Sequence, residues 1–195
     1  MHLVPSSRLS SLFKSKVFVW LLLALPAMFV VAGRYSDTAS YGQAIHTSGQ
    51  WSIGFLVAAL LATPLKRLLP KQKSVQFLLC HRRATGVASF SLALIHTAIY
   101  LEKKWPANLV LKEGLEPSLL TGWLAFLLFL PLAITSNNVS VRRLGRSWKT
   151  LHRTVYVAAA LGLAHWALTS LNPATALFIG AAVCLFEFSR IRRKL

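Results

Sequence analysis

Residues 118–136 read SLLTGWLAFLLFLPLAITS, an apolar run that contains no charged side chain. A helix of about 20 apolar residues spans a hydrocarbon core roughly 30 Å thick, so this run predicts a transmembrane helix. The whole chain has the same character, because 55% of its 195 residues are hydrophobic and only 14% are charged. One small soluble core could not bury that much apolar side chain, so we expect a lipid-facing surface.

Five further apolar stretches of similar length flank this run along the chain. A water-soluble helix would carry a polar face along its whole length, whereas polar residues in these stretches lie chiefly at the ends. The stretches occupy residues 17–33, 50–69, 77–101, 149–170 and 173–190. The sequence therefore predicts an all-α polytopic membrane protein built as a bundle of six transmembrane helices.

Basic residues are distributed unevenly between the two sides of the predicted helices. The formal net charge is +17, and 18 of the 22 lysines and arginines fall on the side that carries the N-terminus. They are Arg8, Lys14, Lys16, Lys66, Arg67, Lys71, Lys73, Arg82, Arg83, Arg142, Arg143, Arg146, Lys149, Arg153, Arg190, Arg192, Arg193 and Lys194. This bias is typical of cytoplasmic loops, so we expect a bacterial inner-membrane protein with both termini in the cytoplasm. The same placement assigns the positive charge to topology and argues against a nucleic-acid partner.

The first apolar stretch has an alternative interpretation as a cleavable secretory signal, because basic residues precede it. Pro26 interrupts the run, and the bulky pair Arg34-Tyr35 makes a poor small-residue cleavage site. We therefore expect an uncleaved span within a single membrane domain. The predicted parts are a cytoplasmic segment at residues 1–16, a six-helix domain at 17–190 and a cytoplasmic basic tail at 191–195.

The cysteines and the usual enzyme motifs offer no site. Cys80 and Cys184 lie far apart in sequence, near predicted cytoplasmic ends of helices, where a reducing compartment argues against a disulfide. The sequence has no Walker-type Gly-rich loop, no His-Glu-x-x-His pattern and no nucleophile elbow. The histidines are the remaining candidates.

Two histidines lie inside predicted membrane helices, where an ionisable residue is costly and indicates a functional role. His96 lies six residues before Glu102, and His165 lies seven residues before Asn172. Both are therefore roughly 10 Å inside the outer end of their helices. Matching depth on different helices is what a pair of axial heme ligands requires. The alternative for each is an interhelical hydrogen bond of the kind that polar residues make in membrane bundles.

A second position lies at the inner end of the predicted bundle. His152 is roughly 20 Å below His165 on the fifth helix, at a depth that matches His81 and Arg82 on the third. His152 and His165 are 13 residues apart, about 140° from sharing one face of a straight helix. A bend, a π-bulge or different approach directions are needed if both serve one groove. His152 is therefore either a ligand or an interfacial residue.

The other histidines have simpler interpretations. His2 is expected to be solvated or interfacial, and His81 to be interfacial rather than a ligand. His46 precedes the second predicted helix and is interpreted as a loop or cap residue, with contact to a quinone as the alternative.

Several blocks of the sequence carry a family resemblance that runs over nearly the whole chain from about residue 40. They are HTSGQW at 46–51, ATPLKR at 62–67, RRATG at 82–86 running to His96, PLAITS at 131–136, RRLG at 142–145, and WKTLHRTVY at 148–156 with His165-Trp166. These blocks resemble the heme-binding membrane subunits of the periplasmic protein-methionine-sulfoxide reductase system, the MsrQ or YedZ family. The Leu-His-Arg-x-Val-Tyr block with its second histidine is the most specific part.

The resembled family belongs to the ferric-reductase-like transmembrane proteins, which include the heme domains of NADPH oxidases. The resemblance implies a six-helix bundle that carries b-type heme, and flavin mononucleotide is also associated with the family. It implies electrons that come from the quinone pool or a cytoplasmic flavin reductase and pass to a periplasmic molybdopterin subunit that reduces methionine sulfoxide. The family's three functional histidines fall on His96, His152 and His165.

The chain departs from the wider superfamily on its third helix. Arg82 stands 14 residues before His96, where the superfamily carries a second histidine, and the resembled subunits also have arginine there. His81 is one residue out of register with that position. One bis-histidine site is therefore predicted, and a second heme is left open.

The resulting mechanism is electron relay, with the substrate-reducing site on a partner protein. Trp166, Arg82 and Arg153 are candidates to shield a heme or to pair with its propionates. Together with Arg83 and His152, these arginines form an electropositive inner rim that suits a flavin phosphate or an acidic reductase, unless they only set topology. The alternative functions are a stand-alone ferric-reductase-like cytochrome and a non-heme transport or structural bundle.

Overall fold

The computed structural model describes residues 15–104, 110, 112–170 and 172–192, with side chains through residue 187. These residues form helices joined by short connections. The predictions made for His2, Arg8, Lys14, Arg193 and Lys194 lie outside the described residues.

Four helices in the described part of the chain are long and apolar enough to cross a membrane. They are α1 (Lys16–Tyr35), α2 (Tyr41–Leu68), α3 (Lys73–Lys104) and α4 (Pro117–Ile134). The N–H of Phe18 donates to Ser15 Oγ at the start of α1, and Pro117 opens α4 at a position where its missing N–H costs nothing. Phe29 and Leu127 are among the large apolar side chains that remain exposed on the outer faces, as contact with lipid requires. The protein is therefore a multi-pass helical membrane protein.

The second helix begins at Tyr41. The apolar pattern predicted a start at residue 50, nine residues later. Ser40 and Gln43 form a capping box, in which the N–H of Gln43 donates to Ser40 Oγ at 3.3 Å and the N–H of Ser40 donates to Gln43 Oε1 at 2.9 Å. The box satisfies N–H groups that a helix start otherwise leaves unpaired. His46 consequently lies inside α2 as an exposed helical residue, and its assignment to a loop or cap was wrong.

In the described part of the C-terminal half, four further helices follow. They are α5 (Asn138–Leu144), α6 (Arg146–Arg153), α7 (Val155–Thr169) and α8 (Ala174–Arg192). Gly145 joins α5 to α6 with a φ of 51°, in the left-handed region that glycine enters without steric cost.

A break at Thr154 divides the predicted fifth span, residues 149–170, into α6 and α7. The N–H of Thr154 donates to Leu151 O at 3.0 Å, three residues back, so the regular four-residue ladder is interrupted there. The break lies between His152 and His165, for which a bend or a π-bulge was one of the alternatives if both served one groove.

The predicted number of six spans is not established by these helices. α7 has 15 residues and extends about 22 Å, less than the roughly 30 Å of a hydrocarbon core. The apolar part of α8, Ala174–Glu187, is similarly short. Six membrane crossings therefore remain a prediction.

The helices pack as two close pairs. α2 packs most extensively against α3, and α4 against α7, whereas contacts of α3 with α4 and of α2 with α7 are sparser. α1 covers the first pair, and α8 packs on α7 and α2. The main core cluster lies between the pairs and includes Leu56, Leu60, Phe129 and Ala158. A seam therefore runs between two tightly packed halves.

Small residues allow α2 and α3 to approach closely. Ser52 Oγ donates to Ser89 O at 3.0 Å, and Ser89 Oγ donates to Ser52 O at 2.8 Å, in a reciprocal interhelical pair. Both serines are buried, and small polar residues of this kind join helices in lipid. The pair holds α3, and with it His96, in register with α2.

Candidate functional site

His96 on α3 and His165 on α7 face each other across the seam between the two helix pairs. Their ring centroids are 6.1 Å apart, and the ring planes are nearly perpendicular at 87°. The structure thus brings together the two histidines that the sequence placed at matching depth.

Each of the two imidazoles is held by one nitrogen. His96 Nδ1 lies 2.9 Å from Ile45 O on α2, and His165 Nδ1 lies 2.6 Å from Ser118 O on α4. A carbonyl oxygen only accepts, so each Nδ1 carries the hydrogen and donates it. Each neutral ring then keeps the lone pair of Nε2, which is the tautomer that a metal-ligating histidine needs.

The same bonds are interhelical hydrogen bonds, the alternative role considered for these histidines. They use only Nδ1, and among the described residues no hydrogen bond occupies either Nε2. The interhelical role therefore accounts for Nδ1 of each ring and leaves Nε2 available to bind a metal.

Two glycines make room for the rings, and neither was among the residues predicted for the site. A Cβ on Gly49 would lie 3.2 Å from His96 Nδ1, and a Cβ on Gly122 would lie only 2.7 Å from His165 Nδ1. Each imidazole thus lies against the backbone of the neighbouring helix, where a larger residue would displace it. Glycine inside a helix costs about 1 kcal/mol relative to alanine, so its presence in two apolar helices was the available signal.

The paired rings suit a heme iron better than a bare metal ion. Among the described residues, no group of three or more His, Cys, Asp or Glu could hold an ion. A structural ion such as zinc takes about four protein ligands, whereas heme iron needs protein ligands only on its axial sides. His96 and His165 would be the two residues that hold the iron, each through its Nε2.

His152 lies apart from this pair, at the inner end of the bundle. Its ring stacks on Trp148 at a centroid distance of 3.9 Å, and its Nε2 lies 3.0 Å from Thr135 Oγ1. Thr135 Oγ1 donates its own hydrogen to Pro131 O at 2.6 Å, so His152 Nε2 must be the donor to it. The Nε2 of His152 is therefore engaged, unlike that of His96 or His165.

The charge around His152 is positive. Arg82 and Arg83 bring two positive charges close to His152.

A cavity of about 410 Å³ lies beside His152. Arg82, Arg83 and Trp148 line it together with apolar side chains of α2, α3 and α4. Arg82 donates to Thr63 Oγ1 at 3.0 Å, while Arg83 donates to Asn138 Oδ1 at 2.7 Å and lies 6.0 Å from the ring of Trp148. The inner end thus combines fixed positive charge with an aromatic wall.

The other residues singled out from sequence lie around these two positions. The ring of His81 lies against that of Phe77, with the two ring centroids 4.5 Å apart. His81 is not among the residues that line the cavity with His152. Arg153 is exposed, and Trp166 is half-buried next to His165 on α7. Cys80 and Cys184 are exposed free thiols.

The fold and its paired histidines define a polytopic helical membrane protein with a two-histidine site between helix pairs. A family model described as the ferric reductase like transmembrane component matches residues 48–163. The chain is 34% identical to the protein-methionine-sulfoxide reductase heme-binding subunit MsrQ of Azospira oryzae, over 83% of this chain and 70% of the relative. It is 32% identical to the MsrQ subunit of Rhizobium meliloti, over 90% of this chain and 84% of the relative.

The MsrQ subunit of Ralstonia nicotianae is 36% identical, over 80% of this chain and 73% of the relative. No solved structure matches the chain at a significant level. The chain belongs to the ferric-reductase-like transmembrane family and, within it, to the MsrQ subunits.

Proposed function

We propose that this chain is a b-type cytochrome subunit that relays electrons through heme ligated by His96 and His165. The observation that carries the proposal is the arrangement of the two rings, which face each other with centroids 6.1 Å apart, each fixed through Nδ1 with an Nε2 that would hold the iron. The relatives that match over most of the chain are named heme-binding subunits, which supports the same cofactor here.

When bound, the heme supplies a one-electron redox centre inside the membrane. The chain's own residues hold and orient the ligands: the carbonyls of Ile45 and Ser118 accept the Nδ1 hydrogens and set both ring orientations. The apolar helices around the site exclude water. Axial ligation, burial and these hydrogen bonds are the means by which the protein tunes the potential.

The proposed direction of transfer is from the cytoplasmic to the periplasmic side of a bacterial inner membrane. His96 lies eight residues before the end of α3, about 12 Å along the helix from the end that the basic residues assign to the outside. The final acceptor is a periplasmic molybdopterin-containing reductase that repairs oxidised methionine, in keeping with the system named for the relatives. The quinone pool or a cytoplasmic flavin reductase is the donor, and the bundle crosses the membrane six times with both termini inside.

Electrons enter, in this proposal, at the cavity beside His152. Its arginines and the stacked Trp148 suit a flavin phosphate, an acidic reductase or a heme propionate. His152 is then a ligand of a second heme or a binding residue for FMN, and Arg153 contributes to the electropositive inner rim. The alternative is that these arginines only set topology.

The visible spectrum of the purified protein tests the function. Material made with ample heme should show a Soret band and a low-spin, six-coordinate b-type spectrum. His96→Ala and His165→Ala should each lose that heme or convert it to a high-spin form, whereas His46→Ala, a change of an exposed histidine on α2, should leave the spectrum alone.

Three results would redirect the proposal. A parent protein without a Soret band would exclude a cytochrome and favour a transport or structural bundle. An unchanged low-spin spectrum in both variants would make His152 and His81 the next pair to test. Reoxidation of the reduced protein by a ferric chelate, but not by a periplasmic methionine-sulfoxide reductase, would favour the ferric reductase that the family description suggests.

A further inference from the structure

The residues that hold His96 follow a definite spacing along α2. Ile45 O accepts the imidazole hydrogen, and Ser48 Oγ, three residues later, donates to the same carbonyl oxygen at 2.9 Å. Ser48 Oγ also lies 3.3 Å from His96 Nδ1. Gly49, four residues after Ile45, leaves open the space against which the ring lies.

The same spacing recurs on α4 around His165. Ser118 O accepts the imidazole hydrogen, and Thr121 Oγ1, three residues later, lies 2.9 Å from that oxygen and from Pro117 O. Gly122, four residues after Ser118, lies under the ring. Both histidines therefore rest on a carbonyl, a hydroxyl three residues on and a glycine four residues on.

The two arrangements do not come from a repeated sequence, because the segments read IHTSG and SLLTG. They also belong to different helix pairs. Ser48 is completely buried, so its hydroxyl has no water to bond with and must find its partner inside the bundle.

Hydrogen-bond capacity gives the hydroxyls a consequence for the imidazoles. A carbonyl oxygen has two lone pairs, but three donors converge on Ile45 O: the helical N–H of Gly49, the hydroxyl of Ser48 and the imidazole Nδ1–H of His96. At Ser118 O the third donor is Thr121, whose single hydrogen is shared between Ser118 O and Pro117 O. Sharing weakens each individual bond, and the 3.3 Å contact of His96 Nδ1 with Ser48 Oγ is too long to replace the 2.9 Å bond to Ile45 O. A weaker bond at Nδ1 makes the imidazole less basic, because hydrogen bonding at that nitrogen is what raises the basicity of a metal-bound histidine.

We propose that Ser48 and Thr121 are a matched pair of positioning residues that moderate the donor strength of His96 and His165 by sharing the carbonyls that hold them. This inference rests on the proposed heme ligation. A less basic ligand stabilises oxidised iron less, so the two hydroxyls raise the midpoint potential of the heme. Because each ligand has its own hydroxyl, the two contributions act in the same direction.

The experiment measures the midpoint potential of the purified holoprotein by spectroelectrochemical titration. Ser48→Ala removes one hydroxyl, and Thr121→Val removes the other while keeping the branched shape. Both changes should shift the potential to more negative values, and the double variant should shift it further, while the spectrum stays low-spin. Thr121→Ser restores a hydroxyl and should return the potential to that of the parent.

Ser91→Ala is the matched control, because Ser91 Oγ also donates to a carbonyl of its own helix, Val87 O at 3.1 Å, but on an exposed face. It should not change the potential.

An unchanged or more positive potential in both the Ser48→Ala and Thr121→Val proteins, with heme retained, would overturn the inference. Loss of the low-spin spectrum would overturn it as well, because the hydroxyls would then be purely structural. If one variant fails to insert, the other with its control decides the question. A parent protein without low-spin heme would instead be a failure of the proposed function.

Discussion

Replacement of Gly122 by alanine tests how the site is built. The added Cβ would lie 2.7 Å from His165 Nδ1, 2.9 Å from its Cε1 and 3.1 Å from its Cγ. These are atoms of a planar ring held by a 2.6 Å hydrogen bond, so they cannot rotate away as the end of a flexible side chain could. Something must move, and the ring is the nearest group.

The size of the effect follows from these distances. Restoring an ordinary contact of 3.4 Å requires a displacement of about 0.7 Å, whereas metal–ligand distances tolerate only about 0.2 Å. Overpacking costs about 1–3 kcal/mol, and the strained hydrogen bond adds about 1 kcal/mol. The better helix propensity of alanine offsets about 1 kcal/mol. We expect a net loss of about 1–3 kcal/mol and a ring that no longer reaches the iron.

A graded series of glycine variants makes the test specific. At Gly49 the clash is milder, with the new Cβ 3.2 Å from His96 Nδ1, and at Gly54 on α2 nothing lies within 4 Å. Gly122→Ala should lose heme or become high-spin, Gly49→Ala should show a smaller change, and Gly54→Ala should match the parent. All three variants are compared by heme content per protein, by the spin state seen in the visible spectrum and by thermal unfolding in detergent.

The order of the three variants decides the outcome. Equal heme content and equal low-spin spectra in the Gly122 and Gly54 variants would refute the argument that the rings lie against the helix backbone. A loss of heme in the Gly54 variant as large as in the Gly122 variant would show a general effect of alanine in these helices, and the contact with His165 would then not be the cause.

Two further predictions concern topology and the inner cavity. Because the basic residues are distributed unevenly, reporter fusions after Leu195 and within residues 137–148 should read cytoplasmic, and one within 102–117 should read periplasmic. A periplasmic reading at Leu195 would contradict the six-span topology. Charge reversal of Arg82 and Arg83 to glutamate should slow reduction by the donor and lower flavin content, and intact kinetics in correctly inserted protein would leave these arginines with topology alone.

The membrane character and the choice of His96 and His165 as candidates were accessible from the sequence because they depend on local composition and helical rise. An apolar run such as residues 118–136 needs no partner to be recognised, since the bilayer itself is the partner. His96 and His165 were found by the same logic, because a titratable group at membrane depth is costly wherever the helix packs. Their facing rings confirm the match in depth, while heme ligation by His96, His165 and His152 stays a prediction.

Local signals were also overlooked. The Ser40–Gln43 capping box is present in the sequence, but the first turns of α2 are polar and lie outside the apolar run, so the predicted helix began too late and His46 was misplaced. The break at Thr154 had only an indirect signal, the angular offset of the two histidines on either side of it. Gly49 and Gly122, inside two apolar helices, indicated that some other group approaches the backbone closely, but the sequence did not identify that group.

By itself, the sequence determined that the chain crosses a membrane, which side carries the basic residues and which histidines lie at the same depth, since these depend on composition and helical rise. Only the tertiary structure decided which ring nitrogen stays available, because that depends on Ile45 O and Ser118 O reaching the rings from other helices. It also decided that Gly49 and Gly122 lie under those rings. Contacts between residues 47 and 51 positions apart arise when helices pack, and no local pattern encodes them.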